Sequence, residues 1–259
     1  MKTKLHIIKI GGNLIDDANQ LNTFLSNFSK LKGLKILVHG GGKKATELSR
    51  KLGIEPVLME GRRITSEKDL EIATMVYAGL INKNITAQLQ AMNCNAIGLS
   101  GADANSIESS KRASYPIDFG YVGDIVTVNT QLLEILLYND ILPVFCAITH
   151  DGKGQLLNTN ADTIAADLAS ALSNNYEVKL HYCFEKQGVL LNIKQEDSVI
   201  PFINSVKYAE LKALGIIDKG MLPKLENCFR ALKNNVSKVI IGNAASITRE
   251  NQPYTTLEL

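Results

Sequence analysis

Short β-branched runs that stop at glycine alternate along this chain with longer stretches of helical apolar spacing. That alternation confines it to a parallel sheet flanked by helices. Residues near 4–10, 35–38, 95–98, 141–147, 178–183 and 238–242 read as strands. Between them, residues 17–31, 42–52, 66–92, 130–139, 160–172, 204–214 and 221–234 read as helices, with Ser66 and Thr130 placed to cap two of them. The expected fold class is α/β: a three-layer αβα sandwich around a central, mostly parallel sheet, doubly wound through right-handed crossovers. Segment 66–92 is unusually long, with Leu70, Ala73, Tyr77, Leu80 and Ile81 at helical spacing, and it suits either a dimer interface or the core. Between 104 and 128 the alternation breaks, and Tyr115-Pro116, Gly120 and Gly123 punctuate short stretches that read as hairpins over the sheet edge.

The 259 residues are near the upper limit for one hydrophobic core, and no long linker divides them. With 45% apolar and 21% charged residues and a net charge of +2, the chain has the make-up of a compact enzyme rather than a disordered one. Its lysines are scattered, which argues against a nucleic-acid footprint or a polybasic membrane patch and leaves small anions as the expected ligands. Cys94, Cys146, Cys183 and Cys228 lie far apart with no C-x-x-C spacing, as expected of buried free thiols in a reducing cytoplasm. No run of about 18 apolar residues occurs, so neither export nor membrane spanning is expected.

Five segments carry chemistry. In Lys9-Ile10-Gly11-Gly12-Asn13 a buried strand delivers a lysine and two glycines directly before a helix. Backbone N–H groups, a helix N-terminus and one full positive charge then converge, which makes either a phosphate cradle or a plain turn. It is not the Walker pattern, since no G-x-x-x-x-G-K-[ST] is present. Val38-His39-Gly40-Gly41-Gly42 repeats the design at a second strand end, where three glycines cost conformational entropy that packing alone rarely repays. His39 has no nearby carboxylate or nucleophile in sequence and reads as a packed residue. In Gly61-Arg62-Arg63, either guanidinium fork suits a substrate carboxylate. In Leu157-Asn158-Thr159-Asn160-Ala161-Asp162, three polar side chains alternate onto one face as a strand leads into a helix; capping accounts for one of them but not all three. In Ile217-Asp218-Lys219-Gly220-Met221-Leu222-Pro223-Lys224, a lysine sits in the first turn of a helix, unfavourably for the dipole unless an anion is bound there.

In this order and spacing the five segments resemble the amino-acid kinase family, specifically its arginine-biosynthesis branch acting on N-acetyl-L-glutamate, and the match spans essentially the whole chain. Ile97-Gly98-Leu99-Ser100-Gly101, Gly120-Tyr121-Val122-Gly123-Asp124 and Lys238-Val239-Ile240-Ile241-Gly242 look like further family segments. The resemblance implies ATP-dependent phosphorylation of the side-chain carboxylate of N-acetylglutamate, with Mg²⁺ carried by the nucleotide and no metal site of the protein's own. It implies one domain over residues 1–259, with a lobe of about 1–175 for substrate and dimerisation and a lobe of about 176–259 for nucleotide. By position, Lys9 and Lys224 resemble the lysines that stabilise the transferring phosphoryl group, and Asp162 the carboxylate that orients them. Gly41, Gly42, Arg63, Asn158 and Asn160 fall on the substrate side, with Arg63 on the α-carboxylate and Arg62 a bystander. Gly11, Gly12, Glu185, Gly188, Ile217 and Asp218 fall on the nucleotide side.

The chain departs from the family at Phe184-Glu185-Lys186-Gln187-Gly188, where relatives read like S/T-D-V-x-G, and at Lys219, where they carry a small or acidic residue. Glu185 then stands for the usual aspartate. The alternatives are another N-acylglutamate such as N-succinylglutamate, since one pocket accepts acyl groups of different size after few changes, another family activity, or a ligand-binding relative without transfer. A cytoplasmic homodimer is expected. So is insensitivity to arginine, because inhibited relatives carry an extra helix ahead of the first strand, which here starts almost at Met1.

Overall fold

The computed structural model describes residues 2–59, 62–217, 221–247 and 253–259. The chain opens with β1 (Thr3–Ile10), the short α1 (Gly12–Asp16), α2 (Ala18–Lys30), β2 (Leu34–His39) and α3 (Gly42–Lys51). A two-stranded arm, β3 (Leu58–Met59) and β4 (Arg62–Arg63), leads to α4 (Glu67–Thr74), a π-helical stretch Met75–Ile81, and α5 (Asn82–Ala91). Next come β5 (Ala96–Leu99), β6 (Ile107–Lys111), β7 (Gly123–Val128), α6 (Thr130–Tyr138), β8 (Leu142–Phe145), β9 (Ile148–His150), β10 (Leu156–Asn158) and α7 (Ala161–Leu172). The remainder holds β11 (Tyr176–Cys183), β12 (Phe202–Ile203), α8 (Ser205–Ala213), α9 (Leu222–Lys233), β13 (Lys238–Gly242) and β14 (Thr255–Leu257).

Eight strands form the central sheet in the order β12-β14-β13-β11-β1-β2-β8-β5, parallel except for the β13–β14 pair. Residue parity shows what covers each face. Lys35 of β2 lies beside His6 of β1, and its ammonium donates to the carbonyls of Phe28 and Leu31 at the end of α2, so this parity faces α2. Lys9 of β1 lies beside Tyr182 of β11, and both reach α7: Lys9 to the Asp162 carboxylate, Tyr182 to the Asp162 carbonyl at 3.0 Å. Opposite faces of one sheet therefore carry α2 and α7, and the three expected layers are present.

The chain winds outward from β1 in both directions, through β2 on one side and β11 on the other. The strand order thus reverses beside β1, and the crevice at the carboxyl ends there is the place for a ligand in such a sheet. The hairpin region forms its own four-stranded sheet, order β10-β9-β6-β7. Two details differ from the sequence reading. Asn129, not Thr130, caps α6, its side-chain oxygen accepting from the Leu132 amide at 3.1 Å. The long helix is also not uniformly α, because its middle widens to π where the 40–42 turn packs against it. Ser66 does cap α4, in a reciprocal box with Asp69. Cys146, Cys183 and Cys228 are buried and Cys94 partly so, all unpaired, and burial pushes the Cys146 and Cys183 thiols up to about 12. None of the helices among the described residues is long and apolar enough to cross a membrane.

Candidate active site

β1 is buried along its second half and carries Lys9 one residue before its end, with a side chain that is 10% exposed. An ammonium so placed needs a counter-charge, and Asp162, at the second position of α7, supplies it at 2.7 Å. Lys9 curls back over the glycine that follows: a Cβ on Gly11 would lie 2.7 Å from its Nζ. Gly12 has φ of +44°, a left-handed conformation glycine adopts without strain, and it starts α1. Lys224, at the third position of α9, brings a second ammonium to the same place, 4.0 Å from the centroid of the Phe184 ring. The Lys9 ammonium is 5.6 Å from that ring. Burial holds the Lys224 ammonium below the usual lysine range, with Lys9 adding to the effect and Asp162 opposing it. Asp162 pairs with Lys9, and Lys224 makes no ion pair among the described residues, so its ammonium can meet an anion.

The second glycine turn adjoins the first through the Gly40 amide, which donates to the Ile10 carbonyl at 3.2 Å. Gly41 caps α3, and a Cβ on it would come within 2.5 Å of Ile81 and 2.7 Å of Tyr77, both in the π-helical stretch. Arg63 reaches the same turn: its Nη2 donates to the Gly42 carbonyl at 3.1 Å and to Thr46 Oγ1 at 2.6 Å, and Asp69 lies 3.7 Å from Nη1. The Arg63 side chain is 8% exposed whereas Arg62 is exposed, so the structure separates the two arginines. Asn158 donates from Nδ2 to Thr65 Oγ1 at 3.0 Å, tying the end of β10 to the residues after the arm. Asn160 is the N-cap of α7, accepting from the Asp162 and Thr163 amides at 2.8 and 3.2 Å, so its oxygen is already engaged.

His39 is fully buried and belongs to the scaffold. Its Nδ1–H donates to the Gly40 carbonyl at 2.8 Å, Nε2 accepts from Asn82 at 3.0 Å, and burial lowers its pKa to about 4. Of the residues expected on the nucleotide side, Glu185 is exposed and Ile217 is buried in the core. Gly188 packs so closely that a Cβ would lie 2.6 Å from Thr255 Oγ1 and 2.7 Å from Val199, which accounts for the glycine by packing alone. Lys186 pairs with Glu196 at 2.6 Å on the surface. Glu60, Gly61, Asp218, Lys219 and Gly220 lie outside the described residues. Sequence reasoning missed Asp69, Thr46 and Tyr77 around Arg63; the S-x-x-D spacing of Ser66 and Asp69 was the available signal, but it marks a cap, not a role toward an arginine.

The model of the amino acid kinase family matches residues 4–243. The chain is 56% identical over 245 residues to an acetylglutamate kinase of Cytophaga hutchinsonii, covering 94% of this chain and 93% of that one. It is 52% identical to an acetylglutamate kinase of Phocaeicola vulgatus, with 95% and 96% covered. Among solved structures, it superposes on smu.665 from Streptococcus mutans with a TM-score of 0.78 at 24% identity, covering 98% of each chain. On carbamate kinase from Giardia lamblia the TM-score is 0.70 at 14% identity, with 99% and 98% covered. At those identities the likeness speaks for the fold.

Proposed function

Because the chain belongs to the amino-acid kinase family, we propose that it transfers the terminal phosphoryl group of ATP to the side-chain carboxylate of N-acetyl-L-glutamate, a step of arginine biosynthesis. The observation that carries this reading is the meeting of two ammonium groups, the buried Lys9 on Asp162 and the half-buried Lys224 over Phe184, at the switch point of the sheet. The acceptor carboxylate, with a reference pKa of about 4.3, is already ionised at neutral pH, so no general base is required. A carboxylate oxygen forms the new bond to phosphorus while the bridging oxygen leaves on ADP with its electron pair.

What opposes this step is repulsion between anions, and this chain's residues answer it by charge and position. Lys9 and Lys224 neutralise the phosphoryl oxygens. Asp162 fixes Lys9 without cancelling both charges, and the glycine turns let backbone donors approach. Arg63, held against the Gly42 turn, takes the α-carboxylate of the acceptor, and Asn158 orients it. Bound to the phosphates, Mg²⁺ supplies further charge neutralisation. The lysine pair is the part of the protein that suits the phosphates of this complex. Residues 1–175 serve the acceptor and residues 176–259 the nucleotide, a division supported by Arg63, Gly42 and Asn158 lying before β11 and Lys224 after it. The enzyme acts in the cytoplasm as a homodimer, for which the exposed Met75, Leu80 and Ile97 offer apolar surface.

The test is turnover with N-acetylglutamate, N-succinylglutamate and free glutamate, together with Lys9→Ala and Lys224→Ala. Each variant is expected to lose at least about 100-fold in kcat, roughly 2.7 kcal/mol of barrier, while still binding the acyl amino acid. Wild-type rates in either variant, or turnover of free glutamate alone, overturn the reading.

A further inference from the structure

Phe184 directly follows β11, and the structure shows what its ring touches. Its backbone prolongs β11, the amide donating to the Gly242 carbonyl at 2.8 Å, so the ring's position is set by the sheet and not by a free loop. The ring lies parallel to that of Tyr182, at 5° and 6.2 Å between centroids, and Tyr182 is itself fixed through its hydroxyl to the Asp162 carbonyl. Onto this anchored pair both ammonium groups converge, Lys224 at 4.0 Å and Lys9 at 5.6 Å from the Phe184 centroid. Lys9 has Asp162 as its ion-pair partner. For Lys224 no ion pair occurs among the described residues, and the aromatic face lies 4.0 Å from its ammonium.

We propose that Phe184 is a positioning residue: its ring holds the Lys224 ammonium, and secondarily that of Lys9, at the phosphoryl-transfer position before the nucleotide arrives. This rests on the reading of Lys9 and Lys224 as the groups that meet the transferring phosphoryl. A lysine with four rotatable bonds loses side-chain entropy when fixed, and holding it beforehand moves that cost away from the chemical step. A carboxylate in the same place would anchor Lys224 more strongly but would repel the phosphates and cancel the charge that the reaction uses. An aromatic quadrupole attracts the cation without carrying net negative charge.

Among the described residues, the groups that face Lys224 are Asp162 of α7, Lys9 of β1, Cys228 of its own helix and Glu185 beside Phe184. They stay constant when only the ring is altered. Replacement by leucine keeps the apolar volume and removes the π face, so Lys224 stays desolvated, loses the attraction and gives up its proton more readily. Replacement by alanine admits water, and Lys224 then holds its proton more tightly.

The experiment measures kcat and KM for both substrates, and the pH profile of kcat/KM for ATP, in Phe184→Leu, Phe184→Ala, Phe184→Tyr and Lys224→Ala. Phe184→Leu is expected to lower kcat about tenfold with the KM for the acyl amino acid unchanged, and to move the alkaline limb to lower pH. Phe184→Ala should move that limb to higher pH, and Phe184→Tyr should restore wild-type behaviour. If Phe184→Leu matches the wild type in kcat and profile while Lys224→Ala is inactive, the positioning role is wrong and the site stands. If Lys224→Ala is itself fully active, the reading beneath it falls.

Discussion

Gly11 bears no side chain because the space a methyl would fill already holds the Lys9 ammonium. Its role is therefore steric as well as conformational, and Gly11→Ala should push Lys9 off Asp162. A loss of about tenfold in kcat, with a fold intact by circular dichroism, is the expected outcome. Asp69 is the matching case on the acceptor side. It is 8% exposed, 3.7 Å from Arg63 Nη1, and it completes the cap of α4. Asp69→Asn keeps its hydrogen-bonding shape but removes the charge behind Arg63. The KM for the acyl amino acid should rise about tenfold with little change in kcat; the reverse pattern, a fall in kcat at constant KM, would show that Arg63 does not hold the acceptor. Lys9, Asp162 and Arg63 were legible in sequence because each sits at the end of a strand or the start of a helix, where topology brings residues together. Phe184 was legible only as a departure, since nothing in a sequence says which way a ring leans or which ammonium groups lie over it.

At the scale of elements, the strands and helices were read closely because their burial follows the periods that sequence displays. β1, β2 and β11 turn buried toward their carboxyl ends, where the glycine turns begin. The π-helical stretch escaped that reading for a physical reason. Leu70, Ala73, Tyr77 and Ile81 keep an apolar stripe whether the turn holds 3.6 residues or slightly more, and the widening lies where Gly41, distant in sequence, packs against Tyr77 and Ile81. Gly41→Ala should drive Tyr77 and Ile81 apart and weaken both thermal stability and acceptor binding. The Ser66 cap belongs to the same helix but carries ordinary helix energetics. Ser66→Ala is expected to cost about 1 kcal/mol and roughly 2–4 °C of Tm in calorimetry, and an unchanged Tm would count against the capping box.

For the whole molecule, the buried His39 and His181 and the half-buried His6 set a limit on acid tolerance. Burial lowers His6 and His39 to about 4 and His181 to about 3, and His6 Nδ1 lies 3.1 Å from His181 Nε2 across β1 and β11. Each folded-state pKa lies below its unfolded value near 6.5, so in between the unfolded chain binds more protons. Stability is then full above about pH 6.5 and is lost as the pH falls toward 4. The urea midpoint should fall between pH 7 and pH 5, and His39→Gln should flatten that slope; a midpoint constant over this range would refute it. The central place of β1 has a consequence for how the chain is made. β1, made before the other strands of this sheet, waits for one of its two neighbours until β11 is synthesised, Thr3 aligning with Tyr176, and Lys224 follows later still. A nascent chain released before that point exposes one edge of β1 as a template for other strands and carries no complete site, so premature truncation yields a sticky, inactive product rather than a weaker enzyme.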